Sequence, residues 1–222
     1  MLTKGSRCLE DIMPKITPFE NYFNEYEEWF DKNKFVYLSE IKAVKHFIPK
    51  NQTGIEIGAG SGKFSEPLGI QYGVEPSDKM AGIAKKRGII IYKGVAENIP
   101  VEDARFDFAL MVTSVCFVDD VEKSFKEIYR ILKKNGTIII AFVDKHSPIG
   151  QIYLKHKHEN KFYKEASFFS TDEILSYLKN AKFGNFEIVQ TVFGQLSEIK
   201  KIQSFRKGYG AGSFVVINAA KL

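Results

Sequence analysis

Three glycines alternate at Gly58, Gly60 and Gly62, directly after a short apolar run that ends in Glu56-Ile57. Glycine in that pattern lets backbone come close to a ligand, because no Cβ stands in the way. Three nucleotide-binding loops have roughly this shape. A phosphate-cradling loop needs G-x-x-x-x-G-K-[ST]. Gly62-Lys63 supplies the last glycine and lysine, but Ile57 stands at the first glycine and Phe64 at the magnesium-binding hydroxyl. A dinucleotide fingerprint, G-x-G-x-x-G/A, puts Lys63 where a tiny residue must pack helix against strand. What remains is acidic-x-G-x-G-x-G from Glu56 to Gly62, a loop with no phosphate to hold.

That stretch resembles the signature loop of the class I S-adenosylmethionine-dependent methyltransferases. The resemblance implies that Glu56 takes hydrogen bonds from the ammonium of the methionine portion, directly or through water. Gly58, Ala59, Gly60 and Gly62 would carry the close backbone approach. Glu75, closing the second β-run in "YGVEPSDKM", would take both ribose hydroxyls, with Pro76 and Met80 walling the adenine. Ala96 and Glu97 would lie at the adenine edge. Such families often carry Asp where this chain has Val95, so the adenine amine would fall to Glu97 or to a backbone carbonyl. Thr113 would line the methionine portion. The likeness continues through "TSVCFVDDVEKSFKEIYRILKKNG", with Lys134 and Asn135 in place of the usual Pro and first Gly, and covers roughly residues 19–219. The subgroup it resembles acts on small molecules and quinone-like metabolites.

Methyl transfer from a sulfonium is an in-line displacement of an already activated group, so alignment and desolvation matter most. A general base is needed only where the nucleophile carries a proton at working pH. Aromatic walls are therefore expected before a catalytic triad. Similar enzymes fold an N-terminal helix over the cofactor with a tyrosine near the sulfonium, which points to Tyr26, with Tyr22, Trp29 and Phe117 on the substrate side. Cation–π attraction gives a reason for such rings. His146, in the loop "VDKHSP" after the fifth strand, is a candidate general base near neutral pH, and Asp144 a candidate beside it. His156 and His158 would share one face of a strand, but neighbouring lysines disfavour a cation and no metal site is expected. Cys8 and Cys116 are too few and too far apart for a disulfide framework or a CxxC zinc site. Residues 144–170, rich in Lys, His, Phe and Tyr, would suit a compact acceptor, partly anionic or aromatic, or a small amine.

The elements that must position these residues alternate. Short β-runs at 53–57, 71–74, 89–93, 105–112 and 137–143 are separated by helical stretches, of which Val121–Lys134 is amphipathic. Alternation of this kind builds right-handed βαβ crossovers and a parallel sheet. The segment "STDEILSYLKNAKF" is a capped helix starting at Ser170 or Thr171, followed by strands near 186–192 and 213–219. The expected architecture is a single α/β domain, a doubly wound Rossmann-like sheet with helices on both faces. The resemblance implies seven strands in the order 3-2-1-4-5-7-6, strand seven antiparallel. Residues 1–50 would form a loose leader (1–17) and a helical lid, 51–143 the cofactor-binding core, and 144–222 the substrate side and last strands.

The chain has 222 residues, 44% hydrophobic, with a net charge of +5 spread over many lysines rather than gathered on one face. That distribution disfavours a nucleic-acid partner, and "TSVCFVDD" lacks the Pro-Pro-Tyr/Phe turn of base-amine methylation. An RNA methyltransferase and a non-catalytic cofactor-binding module remain as alternatives. The longest apolar runs are strand-length, no signal core precedes them, and a cytoplasmic location is the default expectation.

Overall fold

The computed structural model describes residues 15–222, so Cys8 and most of the expected leader lie outside the described residues. Three helices come first: α1 (Thr17–Asn21), α2 (Phe23–Lys32) and α3 (Lys34–Lys45). Then come β1 (Gly54–Ile57), α4 (Ser65–Leu68), β2 (Tyr72–Val74), α5 (Asp78–Lys86), β3 (Ile90–Tyr92), β4 (Phe106–Val112), α6 (Val121–Ile131) and β5 (Leu132–Val143). The chain ends with α7 (Pro148–Lys155), α8 (Thr171–Asn180), β6 (Phe183–Thr191), β7 (Arg206–Lys207) and β8 (Phe214–Lys221).

One sheet runs in the order β3-β2-β1-β4-β5-β8-β6-β7. Strands β1 to β5 pair in parallel, and β8 pairs antiparallel with both β5 and β6. This is the expected doubly wound order with one addition. The two-residue β7 extends the far edge against β6, so the last long strand is the eighth. A pair that short leaves no alternation in sequence to read.

The central strands are apolar on both faces because helices cover both. On β4, Phe106, Ala109 and Met111 join one core layer, while Phe108, Leu110 and Val112 join the other. On β5, Ile138, Ile140 and Phe142 divide in the same way from Ile139 and Ala141. The first layer is closed by Phe125, Ile128 and Ile131 of α6 and by Ile174 and Leu178 of α8. Helix α8 opens with the expected capping box, Ser170 and Glu173 each accepting from the other's backbone N–H. The second layer is closed by the N-terminal helices through Phe30, Val36, Ala43 and Val44.

Three local expectations need correction. The amphipathic helix expected to run to Lys134 ends at Ile131, and β5 begins at Leu132. Residues 148–155, read as loosely patterned, form α7, with Ser147 as N-cap and Pro148 in the first turn. His156 and His158 therefore lie at the end of a helix and in a 3-10 turn, both exposed, rather than on one face of a strand. Among the described residues, no helix is long and apolar enough to cross a membrane.

Candidate functional site

All the parallel strands end at one edge of the sheet, and β8 begins there because it runs the other way. Open α/β sheets bind ligands at that edge, where the strand order reverses. Here a cavity of about 330 Å³ runs along it. One end is lined by Gly58 and Gly60 after β1, Glu75 and Pro76 after β2, Met80 of α5, Ala96 and Glu97, and Thr113 after β4. The other end is lined by Val143, Tyr153, Val192 and Phe214. Helices α1 and α2 roof it with Phe19, Tyr26, Trp29 and Phe30.

The glycine loop takes its shape from its backbone. Gly58 and Gly60 adopt φ of 71° and 54°, a region costly for residues with a Cβ. A Cβ on Gly58 would lie 2.6 Å from that of Ser114, and one on Gly60 would lie 3.2 Å from the Tyr26 hydroxyl. Tyr26 thus stands directly over the loop. Ala59 and Gly62 do not line the cavity. They hold the loop from behind, Ala59 against Gly73 and Gly62 against Ile89 and Ala84.

Glu75 fastens the two halves of this end. Its Oε2 accepts from the Gly60 N–H at 2.8 Å and its Oε1 from the Ser77 N–H at 2.8 Å. Each oxygen keeps a second acceptor position, so the carboxylate can still receive a vicinal diol. Burial dominates its titration and pushes its pKa up to about 7, against the pull of those two N–H groups. Glu97 has one oxygen bound to the Asp119 and Asp120 N–H groups, at 2.7 and 3.1 Å, and also borders the cavity. Thr113 holds φ of 51°, unusual for a β-branched residue and of the kind found at ligand sites.

Glu56 lies one layer deeper than expected. It is 2% exposed, accepts from the Ser65 hydroxyl, and is absent from the cavity wall. Burial raises its pKa to about 8.

The roof is tied down by charge. Glu27 of α2 pairs with Arg87 at 2.6 Å and Lys63 at 3.2 Å and accepts from the Ser61 hydroxyl, while Arg87 also donates to the Ser61 carbonyl. Glu20 of α1 accepts from the Ser77 hydroxyl. Burial raises the phenol pKa of Tyr26 well above its ordinary value, helped by the nearby Glu56, Glu27 and Glu75, so Tyr26 stays protonated.

Several predicted residues fall elsewhere. His146 is exposed and outside the cavity, and only its backbone N–H is engaged, donating to Asp144 Oδ1 at 2.7 Å. Asp144 is 8% exposed and is consumed by structure, its Oδ2 accepting from Thr171 N and Oγ1 at 2.7 and 2.6 Å. Neither lines the cavity. Tyr22 turns outward, 39% exposed, under the Lys161 ammonium and against Phe162. Trp29 and Phe117 do line the cavity. The lysines and histidines of 155–164 face solvent or the rim, whereas Tyr153, Phe162 and Tyr163 turn inward. The Cys116 thiol donates to the Thr113 carbonyl, and burial pushes its pKa up to about 12.

Several cavity residues were not anticipated, and one of them is a buried acid. Glu40, in the middle of α3, lines the cavity at 6% exposure. The signal was available, because Val36, Ala43 and Val44 share its helical face.

Known proteins resemble the chain in sequence and in shape. A family model described as "Methyltransferase domain" matches residues 55–140, the stretch from the glycine loop through β5. An uncharacterised protein of Methanocaldococcus jannaschii is 42% identical over 204 residues, covering 92% of this chain and 98% of that one. A ubiquinone biosynthesis O-methyltransferase of Pelagibacter ubique is 31% identical over 153 residues, 57% of this chain and 64% of that one. A crystal structure from Thermotoga maritima superposes with a TM-score of 0.91 at 50% identity, over 94% of this chain and all of that one. It is described as a "SAM-dependent methyltransferase, possible histamine N-methyltransferase". With the glycine loop, the β2 carboxylate and the strand order in place, the chain belongs to the class I S-adenosylmethionine-dependent methyltransferases.

Proposed function

We propose that the protein transfers the methyl group of S-adenosylmethionine to a small-molecule acceptor held in the same roofed cavity. The observation that carries this reading is the continuity of one cavity from the glycine loop to an aromatic end under α2 and α3. A small acceptor can lie there beside the cofactor, which supplies a methyl group already activated by its sulfonium. A folded nucleic acid could not enter without displacing α1 and α2. Among the described lining residues, Glu25, Glu40, Glu75 and Glu97 face a single cation, Lys15, which disfavours an anionic acceptor. Two similar proteins, a possible histamine N-methyltransferase and a ubiquinone biosynthesis O-methyltransferase, belong to small-molecule chemistry.

In this reading the Glu75 carboxylate holds the ribose hydroxyls with its free acceptor positions. Met80 and Pro76 pack the adenine, Glu97 receives its amine, and the Gly58–Gly60 backbone lies against the methionine portion. Glu56 contributes negative potential from beneath the loop. Tyr26, protonated and poised over Gly60, directs oxygen and ring toward the transfer zone and excludes water from it. No part of this scheme uses His146 or Asp144.

Isothermal titration with S-adenosylmethionine, S-adenosylhomocysteine and NADH tests the cofactor half. Micromolar binding of the two adenosyl ligands without heat from NADH is expected, and preference for NADH would overturn it. Release of S-adenosylhomocysteine in the presence of small acceptors tests turnover. Tight cofactor binding with acceptor use confined to RNA would overturn the small-molecule half.

A further inference from the structure

Glu40 is a buried carboxyl in the cavity wall with no part in cofactor binding as proposed. It sits on the buried stripe of α3 among Val36, Ala43 and Val44, at 6% exposure. Its carboxylate counterparts in and around the cavity are all satisfied. Glu75, Glu97 and Asp144 each accept two or more backbone or side-chain donors, and Glu25 pairs with Lys161. The Glu40 carboxyl has no hydrogen bond or ion pair among the described residues, and burial alone acts on its proton affinity, raising its pKa to about 8. An unpaired carboxyl in an apolar helix face is costly to keep. Val or Leu would pack the same stripe at no such cost. Trp29, Phe30, Tyr153 and Tyr163 line the same cavity, and the charge of Glu40 acts on both tyrosine hydroxyls. Tyr153 and Tyr163 stack with centroids 4.9 Å apart. A carboxyl beside a group of aromatic faces is the chemistry that recognises an organic ammonium.

Resting on the methyl-transfer reading, we infer that the acceptor is a small primary or secondary amine that enters as its ammonium ion, and that Glu40 both binds it and takes its proton. The ammonium replaces the missing partner of the carboxylate. One N–H proton passes to the Glu40 carboxylate, which becomes the neutral acid. The freed nitrogen lone pair forms the new N–CH3 bond as the C–S bond breaks, and that electron pair stays on sulfur as an uncharged thioether. The product leaves as a methylated ammonium, and Glu40 returns its proton to water. An alcohol would leave the carboxylate uncompensated, and a carboxylate substrate would meet a like charge.

The test uses the full chain and two ligand series of one shape: phenethylamine and histamine as amines, 2-phenylethanol and phenylacetate as matched controls. Binding is measured with S-adenosylhomocysteine present, and transfer by S-adenosylhomocysteine release from S-adenosylmethionine. The wild type is expected to bind and methylate an amine at least tenfold better than either control. Glu40→Gln is expected to lower kcat/KM for that amine at least a hundredfold and to keep the Kd for S-adenosylmethionine within twofold. Its Tm at pH 8 should equal or exceed that of the wild type, since a buried charge has been removed, so lost activity cannot be put down to misfolding. Glu40→Asp should recover part of the activity. Equal binding of amines and controls, or Glu40→Gln within fivefold of wild type on the amine, would overturn the inference while leaving the methyltransferase reading intact. Failure of the wild type to bind S-adenosylmethionine would overturn both.

Discussion

Individual residues in and around the cavity divide into those a ligand needs and those the fold needs, and substitution separates them. Gly58 is required twice, for its positive φ and for the approach of Ser114. Gly58→Ala is expected to cost about 2–4 kcal/mol, combining a left-handed backbone penalty with overpacking. Gly88→Ala, also at positive φ but with nothing within 4 Å of the new Cβ, should cost only about 1 kcal/mol. Urea unfolding of the pair checks this, and equal losses would sink the packing argument. Glu75→Gln removes charge from the ribose seat while leaving one acceptor for its backbone partners. The Kd for S-adenosylmethionine should rise at least tenfold, about 1.4 kcal/mol, and an unchanged Kd by titration would reject the assignment. Asp144 is the opposite case. Asp144→Ala should lower stability by about 2–4 kcal/mol, because a buried carboxylate with three donors is lost. The cofactor Kd should hold, and His146→Ala should leave turnover untouched.

At the scale of elements, legibility followed how strictly each element constrains its residues. The glycine loop and the β2 carboxylate were readable because a ligand against bare backbone tolerates few residue types. The capping box of α8 was readable because Ser170 and Glu173 stand at the one spacing that lets each reach the other's N–H. Helix α7 is hard to read although Ser147-Pro148 is a helix start, since the alternation of strand and helix loosens after residue 144. Gly150 is there for contact, because a Cβ on it would lie 2.1 Å from the Asp144 carbonyl. Glu40 was missed because chemistry was sought at strand ends, while a helix face supplied it. The inward turn of Tyr153 and Tyr163 rests on tertiary packing that no local pattern encodes. The lid is the element with a behaviour to predict. Its hold on the glycine loop runs through Arg87, which joins Glu27 of α2 to the Ser61 carbonyl. In Arg87→Ala, amide exchange across residues 23–32 should accelerate while that of β4 and β5 stays unchanged. Cofactor dissociation should quicken several-fold, and high salt should shift the wild type the same way because the ties are partly exposed ion pairs. Exchange that rises uniformly through the sheet would show Arg87 to be a global prop instead.

The whole molecule stores three buried carboxyls in and beneath the wall of its ligand cavity, and together they shape how stability responds to pH. Glu40 and Glu56 titrate at about 8 and Glu75 at about 7, all held above their ordinary 4.5 chiefly by burial. In the unfolded chain the same groups lose their protons near 4.5. Between about pH 5 and 8 the folded state therefore binds more protons than the unfolded one, and its stability falls as pH rises. The Tm of the free protein should decline across that window, and Glu40→Gln should remove about a third of the decline. A Tm that climbs from pH 5 to 8 would contradict the burial argument. Cofactor reverses the balance. A ligand that brings a sulfonium and an ammonium into this acidic cavity favours the ionised carboxylates, so binding must expel protons. Titrations at pH 6.5 in buffers of different ionisation enthalpy should report net proton release. Affinity should then rise toward pH 8, and the Tm gained on adding S-adenosylmethionine should be larger at pH 8 than at pH 6. The site is thus least stable alone under the conditions in which it binds best, the relation expected where groups are kept buried for a ligand rather than for the fold.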